Sequence, residues 1–528
     1  MKVFFRKWWR RFCELDRYSG TIWSFLFLLT LLLVIRIPFL FEPNHYFDEG
    51  IYLTIGQNMN RGYELYRDLF DHKTPVIYWW AAATHSFFWW RVSHLVMAIL
   101  SFFMFYSFTR KIFKSKVAQF VSTYLFVLLV NLPLVEGNIL NGELIVLFFV
   151  LMAVNLNYKA VTNKIDVYKK ELNAWSKYAL LFVSGVCFGL AFITKFHGIF
   201  DYWPFFILPF FLLPKNFLKY KGELRSAISM MIVPAIGFAA TLAATALFFV
   251  ARGTFAYFID NAFLYNIVYT GHGGRNNHVY IAGLIAFSGI LFFLRHKLKF
   301  INCLLLIWFI ATIVAAGLAG RWYPHYLLQV MPLLALLSGL LLENLIRYKF
   351  RRIVSCVLIV AMFGVYLMFY RDLGFYINRT FPYYQNWWQY VTGVKSRSNY
   401  YAWFGNLTVD NHVVAEILDQ YDVQHLFIWG NNPVLYSITQ TTPVKLPFVA
   451  NFHLYDYAAL GDNIYFTGTS TDFIFDAFER KQPEFVVEMK RLDGRTMEMK
   501  DDAILQEILI EYFRPYFNGR ELILWQRK

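Results

Sequence analysis

Three acidic residues and a lysine follow the first long apolar segment of the chain, and together they could transfer a proton beside a phosphate group. Asp48 and Glu49 come first, and Asp71 and Lys73 follow in the same polar stretch. A carboxylate can remove the proton of a hydroxyl group, and an ammonium group can bind phosphate oxygens. Helix capping is the open alternative for Asp48, because acidic side chains stabilise the first turn of a helix.

His72 lies between Asp71 and Lys73, and Pro75 ends this part of the polar stretch. We predict that residues 71–73 contact a substrate, since a cation beside carboxylates suits a ligand that carries phosphate. The alternative is a solvated turn that the proline terminates.

Further candidate substrate-binding residues lie in three later segments, each at the predicted external end of an apolar run. They are Glu143, Lys195, Arg321, Tyr323, His325 and Tyr326. An arginine can bind phosphate oxygens with two parallel hydrogen bonds, which makes Arg321 a candidate phosphate ligand. Three alternatives stay open: a helix cap at Asn141 and Glu143, a lysine that extends to the membrane surface, and an aromatic belt around Trp322.

The elements that carry these residues are predicted to be membrane-spanning helices. The chain has 528 residues, of which 58% are hydrophobic and only 16% are charged. Soluble proteins carry about 25% charged residues, and apolar runs of about 20 residues are typical of spanning helices. The net charge of +15 comes from short basic clusters between apolar runs, which argues against a nucleic-acid-binding protein. The four cysteines form no CxxC pair, which disfavours a disulfide framework or a cysteine zinc site.

We predict about eleven spans, and the charges of the loops orient them. The predicted centres lie near residues 31, 100, 126, 150, 186, 208, 238, 287, 309, 333 and 361. Lysine and arginine cluster before the first span and in every second loop, which places the N-terminus in the cytoplasm and the C-terminus outside. The first run, residues 22–41, is too long for a typical signal peptide and is predicted to be retained. Arg36 and Arg91, near predicted external ends, are candidate substrate contacts or bilayer anchors.

Two regions are predicted to lie outside the membrane: a long loop after the first span and a tail after the last span. The loop of about residues 42–90 is predicted to contain two interfacial amphipathic helices, at residues 50–60 and 75–88. The composition changes near residue 371, so we predict a transmembrane domain over 1–370 and a soluble external domain over 371–528. Its apolar runs predict strands at 425–429, 484–488 and 522–525, and helical patterns at 411–419, 471–481 and 502–512. This alternation is typical of a small α/β domain.

All the candidate residues lie on the same predicted side of the membrane, which favours one shared polar cavity. A transporter or flippase of a lipid-linked saccharide is the alternative, but transporters place polar residues near the bilayer midplane. A non-catalytic membrane scaffold is a third interpretation. Nucleotide-activated donors are cytoplasmic, so an external enzyme needs a donor carried in the membrane, such as a sugar on polyprenyl phosphate. That leaving group needs a cation and the acceptor needs one carboxylate base, unlike glycoside hydrolysis with its two carboxylates.

The sequence resembles the GT-C glycosyltransferases, in particular the group of protein O-mannosyltransferases and lipid A aminoarabinose transferases. The segment FDEGIY at 47–52 looks like the acidic motif of that fold. The segment DHKTPVIY at 71–78 is similar to the Lys-Pro-Pro-x-x-Tyr stretch of the group, with Thr74 in place of the first proline. NGE at 141–143, TK at 194–195 and YPHY at 323–326 lie where the family has later external motifs. The resemblance covers roughly residues 20–345.

The resemblance implies a polytopic helical GT-C enzyme that transfers a sugar, with inversion, from a polyprenyl-phosphate donor to a glycan, lipid or protein hydroxyl. It implies that Asp48 is the catalytic base with Glu49 as its acidic neighbour, and that Lys73 contacts the donor phosphate. It also implies that Arg321 and Tyr326 lie on the phosphate side. The resemblance establishes no cofactor, but some family members bind a divalent metal near the site, for which Asp71, His72 and His325 are candidate ligands.

Overall fold

The computed structural model describes residues 21–162, 172–214, 221–266, 277–318, 323–347, 379–458, 470–490 and 499–528. The chain forms two compact units, each built from separate stretches of sequence. We call the first the helical unit; it comprises Met1–Pro38, His94–Thr245 and Tyr269–Phe381. We call the second the loop-and-tail unit; it comprises Phe39–Ser93, Ala246–Val268 and Pro382–Lys528.

Helices account for most of the described chain before residue 348. They are α1 (Ile22–Arg36), α2 (Phe47–Met59), α3 (Val76–Thr84), α4 (Phe87–Ile112), α5 (Lys116–Asn131), α6 (Gly142–Thr162), α7 (Ala174–Phe192), α8 (Gly198–Phe211), α9 (Lys221–Ala251), α10 (Phe255–Ile259), α11 (Asn277–Leu294), α12 (Phe300–Gly317) and α13 (Met331–Arg347). Seven of the described helices are long and apolar enough to cross a bilayer. The protein is therefore a multi-pass membrane protein.

Ten of the eleven predicted span centres lie in described helices, and the centre near 361 lies outside the described residues. Three of those ten helices are shorter than a full span: Lys116–Asn131, Gly198–Phe211 and His278–Leu294. Within the helical unit, α6 packs against α7, α5 against α13, and α8 against α12. These contacts bury apolar faces of the helices, and in the sequence the basic clusters lie between the apolar runs.

In the loop-and-tail unit, α2 and α3 form close to the predicted interfacial helices and pack against each other. Gly56 permits the approach, because a Cβ atom there would lie 2.5 Å from the backbone of Ala81 on α3. The helix α2 is more deeply buried than an interfacial helix, since residues from Glu49 to Asn58 are all buried. Protein, in place of a lipid surface, covers this helix.

The tail contains an α/β arrangement around one five-stranded sheet, as the sequence predicts. Its elements are α14 (Arg397–Ala402), α15 (Asn406–Asp419), β1 (His425–Trp429), α16 (Pro433–Thr439), β2 (Thr442–Pro443), α17 (Asn451–Ala458), α18 (Ser470–Lys481), β3 (Phe485–Met489), α19 (Met499–Tyr512), β4 (Phe513–Asn518) and β5 (Leu522–Arg527). The strand order is β2-β1-β3-β5-β4. The pairs β1–β2 and β1–β3 are parallel, and β3–β5 and β4–β5 are antiparallel.

All three predicted strands and all three predicted tail helices are present, with boundaries shifted by five residues at most. The predicted domain boundary near residue 371 lies outside the described residues and stays a prediction. The described tail from Pro382 belongs to the same compact unit as the loop Phe39–Ser93. The loop and the tail thus fold together.

Candidate active site

Asp48 lies in the first turn of α2, whose N-cap residue is Tyr46. Its side chain keeps 27% of its surface exposed. The Tyr52 hydroxyl, one turn further along α2, donates a hydrogen bond of 3.3 Å to Asp48 Oδ2. Tyr46 occupies the cap position, so Asp48 is not the N-cap residue, but its place in the first turn agrees with the stabilising role that was the alternative. Its carboxylate is also accessible to a ligand.

Lys73 reaches Asp48 from the loop that follows α2. Its Nζ lies 3.9 Å from Asp48 Oδ2 and 3.8 Å from Asp71 Oδ2. The ammonium also lies 5.0 Å from the centre of the Tyr52 ring, a cation–π distance. The structure therefore brings together Asp48, Asp71 and Lys73, and places the cation between two carboxylates.

Asp71 differs from Asp48 because it is completely buried. Its Oδ1 accepts a hydrogen bond of 2.6 Å from the backbone N–H of His72. Burial opposes ionisation of this carboxyl group, but the charge of Lys73 and the hydrogen bond from His72 hold its pKa well below the usual range. Asp71 is therefore an anion at neutral pH, and it fixes the position of Lys73.

Glu49 is buried and both of its carboxylate oxygens are occupied. Trp90 Nε1 donates to Oε1 at 3.0 Å, and Arg91 donates to Oε2 at 2.9 Å. Arg91 also lies 3.7 Å from Glu42, and all three charged side chains are buried. Arg91 is thus neither an exposed bilayer anchor nor an accessible substrate contact. This network attaches the N-terminal turn of α2 to the start of α4, which carries Trp90 and Arg91.

His453, a residue that the sequence reasoning missed, joins Asp71 and His72. Its Nε2 lies 3.8 Å from Asp71 Oδ1, and ligand atoms from the three residues lie within 4.8 Å of one another. Burial lowers the pKa of His453 to about 3, so the imidazole is neutral. Neither ring nitrogen has a hydrogen-bond partner within the part of the chain that the structure describes. No local pattern marked His453, which lies far along the chain in a helix of the tail.

A second polar cluster forms in the helical unit. Lys195 makes an ion pair with Glu143, which is buried, and its ammonium lies 5.2 Å from the centre of the Tyr326 ring. His325 Nδ1 lies 2.7 Å from Glu136 and its Nε2 lies 3.8 Å from Glu143. The Tyr323 ring stacks on His325, with 5.5 Å between ring centres. The structure thus brings together the five candidates Glu143, Lys195, Tyr323, His325 and Tyr326.

Glu136 also joins this second cluster, although no sequence pattern marked it separately. It adopts a left-handed backbone conformation, with φ of 58°, in the turn before α6. Asn141 directly precedes α6, and its side chain accepts a hydrogen bond of 2.8 Å from the N–H of Gly142, the first residue of that helix. Arg36, on α1, is buried and donates to Asn131 at 2.8 Å, and its Nη1 lies 2.6 Å from His94 Nε2.

Arg321 lies outside the described residues. The remaining candidates fall into two groups, one in each unit: Asp48, Glu49, Asp71, His72 and Lys73 in the loop-and-tail unit, and the Glu143 cluster in the helical unit. That both groups line one cavity stays a prediction.

No protein-family model and no curated protein matches this chain. Among solved structures, the chain is similar to ArnT from Cupriavidus metallidurans bound to undecaprenyl phosphate, with a TM-score of 0.54 and 14% identity over 96% of this chain and 98% of ArnT. The apo structure of ArnT gives a TM-score of 0.53 and 14% identity over 95% and 97% of the two chains. A likeness at this identity shows the fold, and it confirms the predicted fold class: the chain is a polytopic α-helical membrane protein with the GT-C fold.

Proposed function

We propose that this protein is a glycosyltransferase that takes a sugar from a polyprenyl-phosphate donor and transfers it to an acceptor hydroxyl group. The observation that carries the proposal is the pair formed by Asp48, a partly exposed carboxylate, and Lys73, whose ammonium lies 3.9 Å away. A base for the acceptor and a cation for the leaving phosphate are the two groups that this reaction needs. The GT-C fold supports the proposal, since ArnT with this fold was solved with undecaprenyl phosphate bound.

In the proposed reaction, Asp48 accepts the proton of the acceptor hydroxyl group. At the same time, the oxygen of that hydroxyl group attacks the anomeric carbon of the sugar. The bond between that carbon and the phosphate oxygen breaks, and the electron pair leaves with polyprenyl phosphate. Attack opposite the leaving group inverts the configuration at the anomeric carbon. Lys73 stabilises the negative charge on the phosphate, and buried Asp71 keeps the ammonium in place.

The other candidate residues take supporting roles. Glu49, bonded to Trp90 and Arg91, holds the first turn of α2 and thereby Asp48. The Glu143 cluster, in the helical unit, is proposed to contact the substrate.

We also propose that this site binds a divalent cation. Asp71, His72 and His453 fit it, since they offer one carboxylate and two imidazoles, the ligand types that zinc prefers. The two ring nitrogens of buried His453, without hydrogen-bond partners among the described residues, support the fit. The other candidate, His325, is bonded to Glu136 in the helical unit. A bound cation would add positive charge beside the donor phosphate, and its presence is measurable as metal content in His453→Ala and in the unchanged protein.

The proposed location is the cell membrane, with the N-terminus in the cytoplasm, the domain boundary near residue 371, and the active site and tail on the external, periplasmic side. The alternating basic loops support this orientation. Single cysteines at Tyr421 and Lys114, both exposed, test it in a background that lacks the four natural cysteines. In intact cells, a membrane-impermeant maleimide should label the cysteine at 421 and leave the one at 114 unlabelled. The reverse pattern contradicts the orientation.

The function is tested with purified protein, a panel of hexoses and pentoses linked to undecaprenyl phosphate, and cell-envelope extract as acceptor. We expect release of undecaprenyl phosphate and a covalent glycosylated product. Asp48→Asn should abolish transfer while the protein stays folded, and Asp476→Asn, a change in the tail away from these groups, is the matched control. Lys73→Met should weaken binding of undecaprenyl phosphate itself. Full transfer by Asp48→Asn would remove this residue from the base role.

A further inference from the structure

One segment of the tail, residues 433–453, packs directly on the two elements that carry Asp48 and Lys73. We call it the clamp segment. It contains α16, β2 and the start of α17. All of its contacts described below lie within the loop-and-tail unit, so they belong to one compact body.

The clamp segment first contacts α2, the helix that begins with Asp48. A Cβ atom on Gly50 would lie 2.6 Å from the backbone nitrogen of Val434, so only glycine permits this approach. Thr54 donates a hydrogen bond of 3.2 Å to the carbonyl of Pro433, and Gln57 donates one of 3.0 Å to the carbonyl of Ser437. The helix α2 is therefore fixed along its length by the tail.

The clamp segment next contacts the loop that carries Asp71 and Lys73. The backbone N–H of Phe70 donates a hydrogen bond of 2.8 Å to the carbonyl of Pro447, and Phe70 forms an isolated parallel bridge with Phe448. The Phe70 ring lies 5.3 Å from the ring of Phe448 and 5.2 Å from that of His453. Phe70 is completely buried by these contacts.

Two neighbouring residues of the clamp segment, Phe452 and His453, contact the start of α2 and the loop that carries Lys73, respectively. The Phe452 ring lies 5.6 Å from that of Phe47, the residue before Asp48. The His453 ring lies 4.0 Å from Phe452 and faces Asp71. Asn431 fixes this pair, because its side-chain oxygen accepts a hydrogen bond of 3.0 Å from the backbone N–H of Phe452. Phe452 and His453 thus connect the first turn of α2 with the lysine loop.

We propose that Phe452 is a positioning residue of the tail that holds Asp48 at its distance from Lys73, and that the clamp segment is part of the catalytic apparatus. This inference rests on the proposed function. A catalytic pair must keep its spacing to within a fraction of an ångström, and a misplacement of about 1 Å can lower a rate roughly 100-fold. Removal of the Phe452 ring leaves Asp48 and Lys73 chemically intact and removes one of the two side chains that connect their supports.

The experiment compares Phe452→Ala with Phe452→Tyr and with Phe478→Ala. Tyrosine keeps the ring and should restore the function. Phe478 is a buried ring of the same tail that packs on Phe427, within the tail, so its removal weakens the tail core without touching the loop. We expect Phe452→Ala to lower kcat at least about tenfold, with little change in the KM of the acceptor. Phe478→Ala should lower the unfolding temperature and leave kcat near normal.

Hydrogen exchange supplies a readout that does not depend on turnover. In Phe452→Ala, the amides of residues 47–52 and 69–73 should both exchange faster, whereas in Phe478→Ala they should keep their protection. Unchanged kcat and unchanged exchange in Phe452→Ala would overturn the inference, and so would an equal loss in Phe478→Ala. If the unchanged protein transfers no sugar, the proposed function fails, and the exchange data still decide whether the clamp segment holds both elements.

Discussion

Gly50→Ala is the change that tests most directly whether the tail positions the start of α2. The added Cβ would lie 2.6 Å from the nitrogen, 2.8 Å from the Cα and 2.9 Å from the Cγ2 of Val434. Ordinary contact begins near 3.4 Å, so α2 and α16 must separate by ~0.8 Å. Two of the three nearest atoms are backbone atoms, so a smaller side chain at position 434 should not relieve the overlap.

The magnitude follows from two opposing effects. Alanine in place of glycine stabilises a helix interior by up to about 1 kcal/mol, and overpacking costs roughly 1–3 kcal/mol. Gly283→Ala, in α11, is the matched control, because nothing lies within 4 Å of its Cβ position. Gly50→Ala should therefore be less stable than Gly283→Ala by roughly 1–3 kcal/mol. Since Asp48 moves with α2, kcat should also fall about 10- to 100-fold.

The assay is thermal unfolding of both variants in the same detergent, together with transfer kinetics. If Gly50→Ala gains as much stability as Gly283→Ala and keeps its kcat, then α16 does not determine where α2 lies. A double variant, Gly50→Ala with Val434→Ala, separates the two kinds of contact. Recovery of activity in the double variant would mean that the side chain, rather than the backbone of α16, sets the position of α2.

Two further predictions concern buried charges. Burial lowers the pKa of Lys445 to about 7. Between that pH and the ordinary lysine pKa of ~10.4, Lys445 is protonated in the unfolded chain and neutral in the folded one. The free energy of unfolding therefore rises with pH in that interval. Lys445→Met should remove a rise of ~2.5 kcal/mol between about pH 7.5 and 9.5, measured by denaturation at each pH with the exposed Lys481→Met as the control. Lys195→Met leaves the buried Glu143 without its ammonium partner and should cost roughly 3 kcal/mol. A cycle with Glu143→Gln should recover part of that loss, and additive effects of the two changes would contradict direct pairing.

The sequence was a good guide where a pattern is local. The proximity of Asp48 and Lys73 was predictable in part, since both lie in the one loop of about residues 42–90 between two apolar helices. The strands β1, β3 and β5 carry continuous apolar runs and were predicted. The strand β2 has only two residues, and β4 contains Pro515, which is tolerated on an edge strand and obscures the pattern.

The contacts that complete the site could not be predicted, because they depend on which distant segments pack together. His453 and Phe452 lie just over 400 residues after Asp48, and no periodicity or motif connects them to it. The helix α16 did have a local signal, Pro433 at its first position after Asn432, but seven residues are too few for a helical pattern to be distinguished from a strand. The tail therefore looked like a separate domain in the sequence, whereas its clamp segment folds with the loop.

Burial separates the roles of the carboxylates, and this leads to a last prediction. Glu49, Glu143 and Asp71 are buried and each lies beside a cationic side chain, whereas Asp48 keeps part of its surface exposed. A buried, paired carboxylate stabilises a geometry, and breaking its pair costs roughly 3–5 kcal/mol, while an exposed pair contributes at most about 1 kcal/mol. Asp71→Asn should therefore lower stability by roughly 3 kcal/mol and raise the KM of the donor, because Lys73 loses the anion that holds it. Asp48→Asn should leave the unfolding temperature nearly unchanged and abolish kcat. If instead Asp71→Asn abolishes kcat in a protein of normal stability, the base is Asp71, and the exposed carboxylate serves only to position the cation.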